Sequence, residues 1–487
     1  MKIRTPVVAV LMCAASLAGA PAHATDLAEV YARALQNDPL IREAEANRLA
    51  ALESKPQALA ALLPQLSAGA AYDTRETDGE APFTGLNADG DIVSLIGRSD
   101  VDSDTSSWDV TLRQSIFRWE NWVTLGRANR EVAQAEVDYQ AAQQDLILRT
   151  AERYFNVLAA KDTLTAAEAT YEALGRQLEQ AEKRFEVGLI AVTDVQEAKA
   201  AYDSATAALI QAKRNLATQQ EFLRELTGDT FETLSKPGAK LPLVAPDPAN
   251  EDDWVKLSMD QNLRLASSRL AAEITRDDIS FQRGGHYPSI DLVLSRGNQD
   301  VSGDRQFSFE DPITGAPVAT ISPLDSNTDD TFIGLQVNVP IYSGGATSSR
   351  VRQAEYRHRA ARERLERTAR ETERDTRDAY LGVMSEMSRV QALEQAVESA
   401  KVALQATEAG YEVGTRTTVD VLDGRRRLFE AETNYARSRY DYLINVIRLK
   451  LAAGTLDPNQ VANINKALNE TVSLRTTGVA SRAGGAS

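Results

Sequence analysis

Cysteine is all but missing from this 487-residue chain, and the single one, Cys13, falls near the N-terminus. Histidine is nearly as scarce: of three in total, only His286 and His358 lie beyond residue 24, in different segments. Past residue 24 there is therefore no thiolate or disulfide chemistry, no metal-ligand spacing and no nucleophile motif, and neither enzymatic activity nor a cofactor is expected. Basic charge is in deficit as well, with Lys and Arg at 54 against 70 Asp and Glu and a formal net charge of −16. Such a balance speaks against nucleic acid and anionic lipid surfaces as partners, because both require basic patches. Beyond residue 24 no apolar run is long enough for a transmembrane helix. Proline is absent from 83 to 236 and again from 341 to 457.

Residues 1–24 read as a secretory signal peptide. Lys2 and Arg4 supply a basic start, Val7 to Met12 begin an apolar stretch, and Ala22-His23-Ala24 is a small-x-small cleavage site. A lipoprotein role for Cys13 fits poorly, since bulky Met12 precedes it and more apolar sequence follows. The mature chain is expected to be exported and free of cysteine.

What is present is a long repeat. Arg184-Phe185-Glu186-Val187-Gly188 followed by Thr193-Asp194-Val195 returns about 226 residues later as Gly410-Tyr411-Glu412-Val413-Gly414 followed by Val419-Asp420-Val421. Leu178 and Leu404, Leu223 and Leu449, and Gly228 and Gly454 share that offset. A period this long is a duplicated half-protein. The expected copies are 25–253 and 254–457, each running helix, strand, long loop, strand, very long helix, tight turn, helix. Pro237, Pro242, Pro246 and Pro248 interrupt the first copy's helical text over 228–253. A comparable break follows Gly454, and both suggest a collar around the middle of an assembly. Residues 458–487 are expected to be a collar extension followed, from 471, by a small, polar, disordered tail.

The proline-free windows are rich in Ala, Gln, Glu, Arg and Leu, which favour helix. Continuous helices over 119–187 and 343–411 would each span ~100 Å at 1.5 Å per residue, and neither could stand alone. Val390, Leu393, Val397, Ala400 and Leu404 step by three and four, as do Leu174, Leu178, Ala181 and Phe185. That is a narrow heptad-like seam, which an ordinary coiled coil would also show.

Four stretches alternate with period two instead. Ile333, Leu335, Val337, Val339 and Ile341 alternate with Gly334, Gln336 and Asn338; Trp108, Val110, Leu112 and Ile116 with Asp109, Thr111, Arg113 and Ser115. Ile290, Leu292 and Leu294 alternate with Ser289, Asp291 and Ser295, and Leu66, Ala68, Ala70 and Tyr72 form a weaker fourth case. Strands of about ten residues with one apolar side suit a membrane β-barrel wall, although a half-buried soluble sheet alternates in the same way. Between the strands, 74–107 and 298–330 read as long acidic loops on the outer side, with Asp100, Asp102, Asp104, Asp325, Asp329 and Asp330 among them. Trp119 and Trp122 suit either an interfacial aromatic belt or a helix start packed on the barrel base. Four strands cannot close a transmembrane barrel, and an open edge is not tolerated in lipid, so several copies must share one barrel. Two copies give eight strands and three give twelve; periodicity alone leaves that choice open.

The run Gly410-Tyr411-Glu412-Val413-Gly414-Thr415-Arg416-Thr417-Thr418-Val419-Asp420-Val421-Leu422-Asp423 resembles the periplasmic tip of the outer-membrane efflux protein family. Gln114-Ser115-Ile116-Phe117, Tyr154-Phe155-Asn156-Val157-Leu158, and Phe185 to Gly188 with Thr193-Asp194-Val195 are similar to the same family. So are Asn37-Asp38-Pro39 and Pro340-Ile341-Tyr342-Ser343-Gly344-Gly345. The resemblance covers about residues 26–457. It implies a mainly α protein with membrane β: a homotrimer forming a twelve-stranded outer-membrane β-barrel, continuous with a twelve-helix periplasmic α-barrel, with a mixed equatorial collar. The implied function is an exit duct for type I protein secretion, multidrug efflux or both. The implied partners are further copies of the chain, outer-membrane lipid, a periplasmic adaptor (membrane fusion protein), and an inner-membrane RND pump or ABC transporter.

At the tip, Gly188 and Gly414 suit chain reversal at a helix end, and Asp194 and Asp420 suit a cap or first turn. A helix–turn–helix with no further role would use the same residues. Asp420 and Asp423 are three apart, on one helix face, and as a bare pair they read most simply as a solvated acidic surface. The resemblance implies instead that they form a ring of gate carboxylates able to bind cations. It further implies that Tyr411 and Arg416 meet Asp194 and Thr193, with Gln177 in the same network, to hold neighbouring hairpins closed. Adaptor docking is implied at Val187, Gly188, Leu189, Val413, Gly414 and Thr415. Glu197, the repeat counterpart of Asp423, departs from the neutral residue the family would place there. The competing class is a structural coiled-coil adhesin or periplasmic adaptor without channel activity, which accounts for the heptads but not for four amphipathic strands.

Overall fold

The computed structural model describes residues 25–474, apart from 88, 239–240 and 467. The signal peptide expected at 1–24 and the tail from 475 onward lie outside the described residues. In chain order the first half contains α1 (Leu27–Asn37), α2 (Pro39–Leu52), α3 (Ser54–Ala60), β1 (Gln65–Leu86), β2 (Ile92–Phe117), α4 (Trp119–Glu186), α5 (Val192–Thr227) and β3 (Thr233–Pro237). The second contains α6 (Glu251–Gln261), α7 (Leu263–Gly284), β4 (Ser289–Glu310), β5 (Pro317–Pro323), β6 (Ser326–Asn338), α8 (Ala346–Glu412), α9 (Thr418–Ala452), α10 (Pro458–Asn465) and β7 (Leu468–Ser473). Contacts divide the chain into two units, one made of Ala46–Asp138 and Arg264–Thr368, the other of the remainder.

The first unit is built on one antiparallel sheet in the order β1-β2-β4-β6, with β5 also paired to β4. Period-two alternation gathers the apolar residues on one face. Leu66 stands opposite Leu112, Leu112 opposite Leu294, and Leu294 opposite Ile333, so one leucine-isoleucine row crosses all four strands. The opposite face carries Ser67, Thr111, Ser295 and the exposed Phe332 in one row, then Gly69, Asp109, Gly297 and Asp330 in another. The ends of the apolar row are bare within one chain, Leu66 70% exposed and Ile333 71%, while Leu112 and Leu294 between them are half-buried. Below the sheet, Arg130 of α4 bonds Asp277 of α7 at 2.5 Å and Glu273 at 3.2 Å. The indole of Trp119 donates to the Ser280 carbonyl at 3.1 Å and meets Tyr287 edge to face, so it anchors a helix start, while Trp122 stays exposed. His358 bonds Thr275 and the Ala272 carbonyl, and His286 sits exposed in the turn before β4.

The strands are far longer than the ten residues expected, and 74–107 and 298–330 are not loops. β1 has 22 residues and β2 has 26, paired from Gln65↔Arg113 to Leu86↔Ile92. β5 and β6 together run back along β4, interrupted at Leu324, whose N–H still donates to Gly303 at 2.8 Å. The actual turns are short. Asn87 Oδ1 accepts from the N–H groups of Asp89 and Asp91, and Asp311 Oδ1 from that of Ile313. Ser, Thr, Asp and Gly on both faces erase the apolar alternation that marks a strand, while the ladder hydrogen bonds persist without it.

The second unit holds the helical hairpins and most of the core. Tyr154, Phe155, Leu158 and Leu164 of α4, Leu216 and Leu223 of α5, Ile447 of α9 and Leu27 and Val30 of α1 are all essentially inaccessible. Each such side chain contributes roughly 1.5–3 kcal/mol by leaving water. Phe155 stacks on Tyr440, whose hydroxyl donates to Asp162 at 2.7 Å. Burial and the Asp162 carboxylate push the Tyr440 hydroxyl well above its ordinary pKa. In the expected seam Val390, Leu404, Leu174 and Ala181 are buried, whereas Phe185 is exposed near the helix end. The expected disordered tail from 471 is corrected in its first residues: β7 pairs antiparallel with β3, and Leu474 is buried.

Both hairpins return to the same kind of cap. Gly228 (φ 76°) ends α5, where Asn37 donates its amide to the Thr227 carbonyl at 2.7 Å. Gly454 (φ 74°) follows α9, where Asn262 donates to the Ala452 carbonyl at 2.9 Å. Asp38, beside Asn37, is buried and bonded to Arg149 at 2.7 Å.

Candidate functional site: the hairpin tips

The α4–α5 hairpin reverses over 187–191. Gly188 adopts φ 76°, and the Leu189 N–H reaches back to the Arg184 carbonyl at 2.9 Å, closing the helix end. Asp194 then accepts from the Ala191 N–H at 3.3 Å. The α8–α9 hairpin repeats the device: Gly414 has φ 79°, and the Thr415 N–H donates to the Gly410 carbonyl at 2.8 Å. Thr417 caps α9 reciprocally with Asp420. The Thr417 hydroxyl accepts from the Asp420 N–H at 3.3 Å, while Asp420 Oδ2 accepts from the Thr417 N–H at 2.8 Å and from its hydroxyl at 2.9 Å. These bonds, with Arg416 nearby, hold the Asp420 carboxyl below its ordinary pKa, so it is charged at neutral pH.

Within one chain the expected polar network is not assembled. Arg416 approaches its own Asp420 at 4.0 Å, and Asp194 caps its own helix. Tyr411 lies beneath Arg184, with the guanidinium 5.3 Å from the ring centre, and near the Thr418 hydroxyl at 3.5 Å. The Arg184 contact, unforeseen from the sequence, sets the two tips side by side. Thr193 is exposed. Gln177 is half-buried with its amide nitrogen and oxygen out of reach of water, yet neither atom has a hydrogen-bonding partner among the described residues. Asp423 pairs loosely with Arg426 at 3.4 Å, and both line a groove of about 340 Å³ bounded by Ala167, Leu174, Ala205 and Phe429. Arg425 bonds Glu408 at 2.6 Å, joining α9 to α8 just above the turn. Glu197 is exposed on α5.

At the turns, Val187, Leu189 and Val413 are 68%, 71% and 75% exposed. Val187 and Leu189 thus stand bare beside Gly188 at the first turn, and Val413 beside Gly414 at the second. The arrangement is thus a charged, capped pair of helical hairpins with apolar ends. Among the described residues no group of three or more His, Cys, Asp or Glu is placed to hold a metal ion.

The family profile described as "Outer membrane efflux protein" matches residues 30–229 and 254–455. The chain belongs to that family. It is 37% identical to outer membrane protein TolC of Escherichia coli over 459 residues, 94% of this chain and 88% of that one. With TolC of Vibrio cholerae it shares 36% identity over 447 residues, 91% and 94% of the two chains. The Pseudomonas aeruginosa alkaline protease secretion protein AprF is 27% identical over 441 residues, 90% of this chain and 86% of AprF. In fold it is similar to the Campylobacter jejuni CmeC outer membrane channel, with TM-score 0.67, 18% identity and coverage of 91% and 90%. Outer membrane efflux proteins are transport channels rather than enzymes, and this member is an outer-membrane protein that reaches into the periplasm and serves as an exit duct for secretion or efflux.

Proposed function

We propose that three copies of this chain form one passive duct. Each contributes four strands to a twelve-stranded outer-membrane barrel and four helices, α4, α5, α8 and α9, to a twelve-helix periplasmic tunnel. β3, β7 and α10 belong to its collar. The observation that carries this reading is the sheet: β1 and β6 each pair on one side only, so two edges of backbone N–H and C=O groups are open in one chain. An open edge in lipid costs several kcal/mol per unsatisfied group, and further copies remove it. Two halves, 25–253 and 254–457, are read as duplicates; the matched Asn37–Gly228 and Asn262–Gly454 caps support this.

The tip is the gate. Asp420 and Asp423 from three copies form an acidic ring that attracts cations. Tyr411, Arg416, Thr193, Asp194 and Gln177 link neighbouring hairpins in the closed state; the unpartnered Gln177 amide supports a bond supplied by another copy. The apolar ends, Val187, Gly188, Leu189, Val413, Gly414 and Thr415, receive a periplasmic adaptor, which couples the duct to an RND pump or ABC transporter. Adaptor contact shifts the closed population toward the open one.

The test is single-channel conductance in a planar bilayer with a trivalent cation added from the tip side. A small cation-selective conductance, blocked in the wild type and unblocked in Asp420→Ala with Asp423→Ala, is expected. Unchanged block in that variant removes the ring assignment, and absence of any channel from inserted, folded protein removes the duct.

A further inference from the structure

The outer ends of the two strand hairpins carry an apolar cluster that the duct reading does not use. Phe83 of β1 and Phe307 and Phe309 of β4 are in mutual contact, with ring centres 5.3 Å apart for Phe83–Phe307, 4.4 Å for Phe83–Phe309 and 5.8 Å for Phe307–Phe309. Register places them on one face. Phe83 is opposite Leu95, Ser99 is opposite Phe307, and Phe309 is opposite Val318. Following the alternation down the strands, this is the face of Ser67, Thr111, Ser295 and Asp109, not the face of the Leu66–Leu112–Leu294–Ile333 row. In a barrel the leucine row faces lipid and the serine row faces the lumen. The three phenylalanines therefore stand on the lumen side, at its outer end.

Two glycines shape the cluster. Phe307 lies directly over Gly97, where any Cβ would collide with the ring. A methyl group on Gly85 would come within 3.7 Å of Pro312, so the 311–316 turn leans over the same face. All three phenylalanines are only half-buried: no second layer covers them. Phe332, opposite Ser295, is a separate aromatic lower on this largely polar wall; a cluster of three rings beside an overhanging turn would narrow a passage at its outer end and disfavour water within it.

We propose that Phe83, Phe307 and Phe309, repeated in each copy, form an apolar constriction at the outer mouth that selects what passes between the lumen and the outside by size and polarity. The proposal rests on the trimeric duct reading. Its consequence is a second restriction, at the end opposite the acidic tip, that excludes bulky hydrophilic solutes from the exterior.

With Cys13 the single cysteine, inside the expected signal peptide, a direct test is available. Ser295→Cys places a thiol on the lumen face, about 40 Å along β4 from Phe307 at ~3.3 Å per residue. In intact cells its modification is timed with a small charged thiol reagent and with a polymer-linked maleimide, both unable to cross the membrane. With the phenylalanines present, the bulky reagent should lag the small one by on the order of tenfold or more, and Phe83→Ala/Phe307→Ala/Phe309→Ala should remove most of that lag. Phe307→Leu with Phe309→Leu, which keeps apolar bulk and guards against misfolding, should retain most of it. Equal labelling by both reagents in the wild-type background overturns the constriction while leaving the duct intact. No labelling of Ser295→Cys by the small reagent in either background removes the lumen assignment, and the duct with it.

Discussion

Asp420 shows how one side chain serves both architecture and charge. Its carboxylate is tied to the N–H and hydroxyl of Thr417, which lowers its pKa from the usual 3.8. A carboxyl depressed in the folded state stabilises above its unfolded pKa, and that contribution is lost as pH falls through the folded value. The Thr417 bonds should therefore carry cation block at the tip to lower pH than an uncapped Asp420 would. Thr417→Ala should raise the pH at which block disappears and should cost about 1 kcal/mol through the lost cap; conductance against pH and thermal unfolding read the two effects separately. Asp38 is the second test at this scale. Asp38→Ala strips a buried partner from Arg149, which retains Asp145 at 2.7 Å, so a loss of about 1–3 kcal/mol in unfolding free energy is expected. The residue types at the tip were legible in sequence, Gly188, Asp194, Gly414 and Asp420 among them. The partners were not: the Arg184–Tyr411 contact joins side chains 227 positions apart, and no local period announces it.

At the scale of elements, the two left-handed glycines Gly414 and Gly454 share a conformation but not a setting. Nothing lies within 4 Å of a Cβ on Gly414, whereas one on Gly454 would collide with the Gln261 carbonyl and the Asn262 backbone. Gly414→Ala should cost about 1–2 kcal/mol from the backbone alone. Gly454→Ala should cost distinctly more, because the α6–α7 junction must move as well; chemical denaturation of the two variants checks the difference. The long helices were read to within three residues at each end, since absent proline and a three-four seam are strong local signals. The strands were underestimated for an equally physical reason. Glu76, Asp102 and Asp304 face one another across β1, β2 and β4, and an all-acidic row looks like a solvated loop until its register is known. The tail from 471 was misread likewise, because Thr471 and Ser473 look like tail residues, yet they pair with Ser235 and Thr233.

At the scale of the whole molecule, the trimeric proposal turns on what one chain leaves uncovered. Among the described residues β1 and β6 each pair on one side only, Leu66 and Ile333 are bare at the ends of the apolar row, and Val187, Leu189 and Val413 are bare at the hairpin turns. On the proposed trimeric reading, another copy would meet the edges, lipid the apolar row, and an adaptor the tips. Replacing Val413 by Asp should leave folding and conductance intact, because the side chain is 75% exposed, while abolishing export through adaptor-dependent pumps; efflux or secretion assays on cells producing the variant would show it. Periodicity carried the membrane face as an expectation but not the number of copies, which only the family resemblance implied, since no alternation encodes how many sheets close a ring. Native mass spectrometry of the detergent-extracted protein tests that closure most directly. A species of three chains, stable without any partner, is the predicted result; a monomer, or a dimer with no larger species, would contradict a barrel shared by three copies.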